Sequence, residues 1–135
     1  MNIKHDQQKD FHIIEVDGEI NINTSIKLRK AFGDTIAKET KKVLIDLNAV
    51  DYIDSSGLAT LVELMQILNE RNAKMFLVGI SKKVLGVIEI TKLDKYFSIY
   101  ATREEIFALQ DWNILYGECF PTWQPTYPYL FKFLL

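Results

Sequence analysis

Apolar residues recur along this chain in two alternating rhythms, short β-rich runs and longer stretches at helical spacing. Residues 11–16 form a first β-rich run. Asp17-Gly18 behind it is a hairpin-type turn signal, and residues 19–22 predict a short second strand. Asn23-Thr24 marks a helix start, after which Leu28, Ala31, Phe32, Thr35 and Ile36 recur on one helical face. Residues 38–42 end that helix in charge. Residues 43–47 (Val-Leu-Ile-Asp-Leu) are nearly continuous in apolar character, as expected of a strand covered on both faces. Beyond the intervening loop and Asp54-Ser55-Ser56-Gly57, residues Leu58, Leu61, Val62, Met65 and Leu68 mark a second amphipathic helix.

The same alternation continues to residue 110. Residues 75–78 predict another apolar strand, and Ser81 is a cap candidate for a third helix burying Val84, Val87 and Ile88. Residues 96–100 predict a last strand. Thr102 with Glu105 forms a capping-box pattern for a final helix that buries Ile106 and Leu109. Strands alternating with helices argue an α/β domain with a mainly parallel sheet of about four to five strands and about four helices; the opening hairpin makes the sheet mixed. Residues 1–110 are read as one domain and residues 111–135 as an extension.

Composition changes this picture little. The 135 residues suffice for one domain burying roughly two thirds of its unfolded surface. A formal net charge of −2, with no long basic stripe, gives no electrostatic reason to expect direct nucleic-acid binding. A single cysteine, Cys119, precludes an internal disulfide, residues 1–10 lack a signal-peptide pattern, and no run reaches the roughly 20 apolar residues of a membrane span, so a cytoplasmic protein is expected. His5 and His12 have no Cys or carboxylate spacing suggesting a metal site, and no Gly-rich phosphate loop is present. Asp46, Asp51 and Asp54 lack an accompanying acid, base and nucleophile set and read as loop and cap residues. Neither a metal, a cofactor nor a catalytic residue is expected.

The informative segment is Asp54-Ser55-Ser56-Gly57 at the start of an amphipathic helix. Unpartnered backbone N–H groups at a helix start donate to capping Asp or Ser side-chain oxygens, and they also suit a phosphate on a serine. A phosphoserine adds about −1.5 to −2 charges, which a partner on that loop could not ignore. Gly57, with no Cβ, is expected to allow close approach of another chain to this end of the helix.

Residues 43–47 together with Tyr52-Ile53-Asp54-Ser55-Ser56-Gly57-Leu58 resemble the signature of STAS domains, especially those of anti-sigma factor antagonists. The resemblance extends upstream to Gly18-Glu19-Ile20 before a Thr-capped helix, and downstream through residues 76–81, Val84 and residues 91–94. It implies a binding protein rather than an enzyme. The unphosphorylated domain would bind an anti-sigma factor that is also a serine kinase, freeing the sigma factor. Phosphorylation of Ser55 would release the kinase, and a separate phosphatase would reset the domain. Asp54, Ser56, Gly57 and Asn21 would border the partner, and Asn21 stands where many members carry an aspartate. The alternative is a constitutive STAS scaffold or a subunit of a membrane lipid-transport or stress-signalling complex.

The extension falls outside the resemblance. It holds Trp112, Trp123, all three prolines and six further tyrosine or phenylalanine residues. Its prolines preclude one long helix. Such a segment either folds back over the domain or serves as a docking or homodimer surface, since large apolar patches seldom stay exposed.

Overall fold

A computed structural model describes the backbone of residues 1–116 and the side chains of residues 1–109. Five strands form one sheet in the order β1-β2-β3-β4-β5: Asn2–Gln8, Phe11–Asp17, Lys42–Ala49, Lys74–Val78 and Ser98–Tyr100. β1 runs antiparallel to β2, and every later pairing is parallel. The crossovers carry α1 (Ser25–Ala37), α2 (Ser55–Glu70) and α3 (Lys82–Ile90). A 3-10 turn (Leu93–Lys95) precedes β5, and α4 (Arg103–Tyr116) follows it.

The topology dictates where the helices lie. From β2 to β5 each crossover steps one strand over in the same direction, so right-handed connections place α1, α2 and α3 on one face. The packing agrees. Ile14, Ile45, Leu77 and Ile99, aligned across four strands, bury against Leu28 and Phe32 of α1, Leu61 and Leu64 of α2, and Val84 and Ile88 of α3. The alternate residues Ile13, Leu44 and Phe76 face the other way, where Ile106 and Phe107 of α4 cover them. Both faces of the central strands are therefore apolar, which accounts for the unbroken run in β3.

A second tie fastens α4. Glu15 and Asp46 are register partners on β2 and β3. The Arg103 guanidinium binds both, donating from Nε at 3.1 Å and Nη2 at 2.8 Å to Asp46 Oδ2 and from Nη2 to Glu15. Asp46 is thus half of an ion pair on the sheet rather than a loop residue.

The expected elements differ from the observed ones mainly at the N-terminus. The hairpin does not turn at Asp17-Gly18. It is formed by β1 and β2 around Lys9-Asp10, with Lys9 at φ +52°. β1 is an edge strand whose residues are mostly exposed, so it lacks the apolar alternation that reveals a half-buried strand. Residues 19–22 form no strand; Ile20 makes a single parallel bridge to Ile53. Gly18, at φ +117°, redirects the chain beside the end of β3, where its N–H donates to Ala49 O at 3.1 Å. On α2, Leu64 is buried while Val62 is half-buried. Residues 117–135, including Cys119, Trp123 and the prolines, lie outside the described residues. No helix among the described residues is long and apolar enough to cross a membrane.

Candidate functional site

Two loops meet beyond the carboxyl ends of β2 and β3. Residues 18–24 lead into α1, and residues 50–54 lead into α2. Ile20 N–H donates to Tyr52 O at 2.9 Å, Asp54 N–H donates to Ile20 O at 3.0 Å, and Ile22 N–H donates to Asp54 Oδ2 at 3.2 Å. The backbone of one loop is thereby hydrogen-bonded to the other, and Asp54 is the joint.

Asp54 also caps α2. Its Oδ1 accepts from the backbone N–H of Ser56 and of Gly57, each at 3.0 Å, and from the Ser56 hydroxyl at 2.6 Å. The Ser56 hydroxyl, with the backbone N–H groups of Gly57, Ser56 and Ile22, holds this carboxyl below the usual aspartate range against the opposing effect of partial burial. Asp54 is anionic at neutral pH and has already taken two of the N–H groups that open the helix.

This separates the two serines. Ser56 is half-buried, and its hydroxyl proton is committed to Asp54. Ser55, the first residue of α2, is exposed, and among the described residues nothing hydrogen-bonds its hydroxyl. Of the two side chains, that of Ser55 is the one open to solvent.

Gly57 serves a close approach within its own chain. It is buried, and a Cβ on it would lie 2.5 Å from Ile20 Cγ2 and 2.8 Å from Ile53 Cγ1. Its lack of a side chain lets the two loops pack against the first turn of α2. Asn21 fixes the other loop: its Oδ1 accepts from the N–H of Asn23 at 2.9 Å and of Thr24 at 3.1 Å. An aspartate could accept the same two bonds, so asparagine retains the turn and removes a charge. Thr24 occupies the cap position of α1 with no side-chain bond to that helix. Its hydroxyl instead donates to Glu19 O at 2.7 Å and accepts from Asn21 N–H at 2.9 Å.

The loops and the first turn of α1 also present apolar side chains, of which only Tyr52 was part of the sequence motif. Ile22 is 69% exposed, Ile26 in the first turn of α1 is 72% exposed, and Tyr52 is 49% exposed. Ile26 could have been recognised because it falls outside the buried Leu28-Ala31-Phe32-Thr35 stripe. Exposed apolar side chains on these loops and in the first turn of α1 suit a protein-binding surface better than a small-molecule site. Asp51 is exposed and stands in the loop before Asp54.

Comparison with known proteins agrees with this geometry. A STAS domain model matches residues 2–106. An anti-sigma-B factor antagonist from Staphylococcus aureus is 28% identical over 93 residues, covering 69% of this chain and 86% of the relative. The structure of an anti-sigma factor antagonist from Mycobacterium paratuberculosis matches with a TM-score of 0.73 at 26% identity, covering 80% of this chain and 92% of the other. The Bacillus cell fate determinant SpoIIAA in its phosphorylated form shares the fold, with a TM-score of 0.63 at 17% identity over 81% of this chain and 99% of that one. The sequence motif, the mixed five-stranded sheet and the family model converge: the chain belongs to the STAS domain family.

Proposed function

We propose that this protein is an anti-sigma factor antagonist whose binding is controlled at Ser55. Its unmodified form binds an anti-sigma factor that doubles as a serine kinase, which frees the sigma factor. Phosphorylation of Ser55 ends the complex, and a phosphatase restores the binding form. The protein acts by occupying its partner, not by turnover. The observation that carries this reading is the division of labour at the start of α2: Asp54 and Ser56 are locked together by a 2.6 Å hydrogen bond, while Ser55 is exposed. The printed names of its relatives support the class of partner.

The energetics suit a switch. Docking over Ile22, Ile26 and Tyr52 would desolvate whatever Ser55 carries, and a phosphate beside Asp54 would add like-charge repulsion to that cost. A hundredfold change in affinity needs only about 2.8 kcal/mol. The test is calorimetric titration of the host's anti-sigma serine kinase with wild type, Ser55→Ala and Ser55→Asp. Ser55→Ala should bind like wild type and Ser55→Asp at least tenfold more weakly. Equal binding by all three variants would defeat the switch.

A further inference from the structure

His5 and His12 stand seven positions apart in the chain, and the hairpin brings them together. In the β1/β2 register His5 opposes Ile14 and Gln7 opposes His12, so the histidines are diagonal neighbours on one face of the sheet. His5 Nδ1 lies 3.0 Å from His12 Nε2, with ring centroids 5.2 Å apart and planes inclined by 49°. His12 is 6% exposed, whereas His5 is open to solvent. The pair sits where β2 begins, at the opposite end of that strand from the Ser55 loops, and plays no part in them.

We propose that His5 and His12 form a two-histidine site for a divalent cation that favours tetragonal coordination, Cu²⁺ or Ni²⁺. A metal takes imidazole nitrogen at about 2.0–2.1 Å. Two nitrogens 3.0 Å apart at that radius subtend about 94° at the metal, the angle between adjacent ligands of a square-planar or octahedral ion. A tetrahedral ion such as Zn²⁺ would need the nitrogens about 3.4 Å apart at the same radius, so the spacing favours the tetragonal ions. Binding replaces the hydrogen bond between the rings: the imidazole that donates it changes tautomer, its proton passing to the outer ring nitrogen, and the exposed His5 ring turns so that its Nδ1 lone pair and that of His12 Nε2 converge on the ion. No third His, Cys, Asp or Glu forms a cluster with them among the described residues, so water completes the coordination on the exposed side.

Burial, His5 and Lys38 all hold His12 below the usual histidine range. Lys38, at the end of α1, is the cation that faces the pair and works against a bound divalent ion. An ion held by both residues would pin the edge strand β1 to β2.

The test uses the full chain, stripped with chelator and titrated with NiCl₂, and with CuCl₂ for paramagnetic resonance. Wild type should bind one equivalent and melt at a higher temperature when Ni²⁺ is added. The Cu²⁺ spectrum should show a tetragonal ion coupled to imidazole nitrogen. His5→Gln, at an exposed position where the fold tolerates change, should weaken Ni²⁺ binding at least tenfold and abolish the rise in Tm. Lys38→Gln should tighten binding. Equal Ni²⁺ affinity in wild type and His5→Gln, or a Tm indifferent to Ni²⁺ in both, would overturn the proposal.

Discussion

Replacing Gly57 with alanine tests whether the loops before α1 and α2 are packed as tightly as the structure shows. The new Cβ would lie 2.5 Å from Ile20 Cγ2 and 2.8 Å from Ile53 Cγ1, whereas ordinary contact begins near 3.4 Å. Ile20 and Ile53 are 0% and 2% exposed, and the backbone hydrogen bonds joining their loops resist displacement. Neither side chain can swing into solvent, so the clash falls on the loops. Overpacking of this kind costs about 1–3 kcal/mol. Against it stands the gain from replacing glycine by alanine in a helix, about 0.5–1 kcal/mol. Gly33 in α1 and Gly86 in α3 measure that gain alone, since an added Cβ at either meets nothing within 4 Å. Gly33→Ala and Gly86→Ala should therefore stabilise the protein by about 0.5–1 kcal/mol. Gly57→Ala should lie about 1–3 kcal/mol below them on the same scale, a gap of several degrees in Tm. Urea unfolding of the three variants, followed by circular dichroism, gives the comparison. A Gly57→Ala protein as stable as Gly33→Ala would refute the contact between the loops and α2.

Three further outcomes follow from the same geometry. Ser56→Ala removes the hydroxyl that contributes most to holding the Asp54 carboxyl down, so the Asp54 pKa read by carboxyl-carbon NMR should move back toward its ordinary value of 3.8, whereas Ser55→Ala should leave it in place. Because the folded-state pKa of Asp54 is depressed, its stabilising contribution is present above about pH 3.8 and is lost as pH falls through the lower folded value; the stability gap between wild type and Ser56→Ala should therefore close on acidification, and a pH-independent gap would contradict this. Arg103→Met strips the cation from Glu15 and from Asp46, whose side chain is only 14% exposed, and should cost about 1–3 kcal/mol; in a cycle with Asp46→Asn the two losses should fall short of additive, and strict additivity would show that the tie is not formed.

Much of this architecture could be read in the chain because its signals are local. β3 announces itself as an apolar run, and the Asp54 cap and the Ser81 cap lie beside the helices they start, Ser81 Oγ accepting from Val84 N–H at 3.2 Å. Glu105 N–H likewise meets the Thr102 hydroxyl at 3.3 Å, as the capping pattern implied. β1 gave no such signal, since only Ile3 among its residues is even half-buried and its strand character rests on pairing with β2. Asp17-Gly18 carried a hairpin signal, yet the glycine there redirects the chain along β3. Pairwise geometry was equally out of reach: two adjacent serines differ only by which hydroxyl reaches Asp54, and the proximity of His5 and His12 depends on the register of β1. The reason for Gly57 lies in Ile20, 37 positions earlier in the chain, and such a long-range contact leaves no periodicity to detect.

The central claim is that Ser55, and not its neighbour, is the switch. The most direct measurement incubates the purified protein with ATP and native-host lysate, then maps phosphosites by mass spectrometry, with Ser55→Ala in parallel and a second substrate confirming that the lysate is active. The account predicts phosphate on Ser55 in the wild type and none on either serine in the variant, because the Ser56 hydroxyl stays bound to Asp54. Phosphate on Ser56, or none at either position in an active lysate, would contradict it.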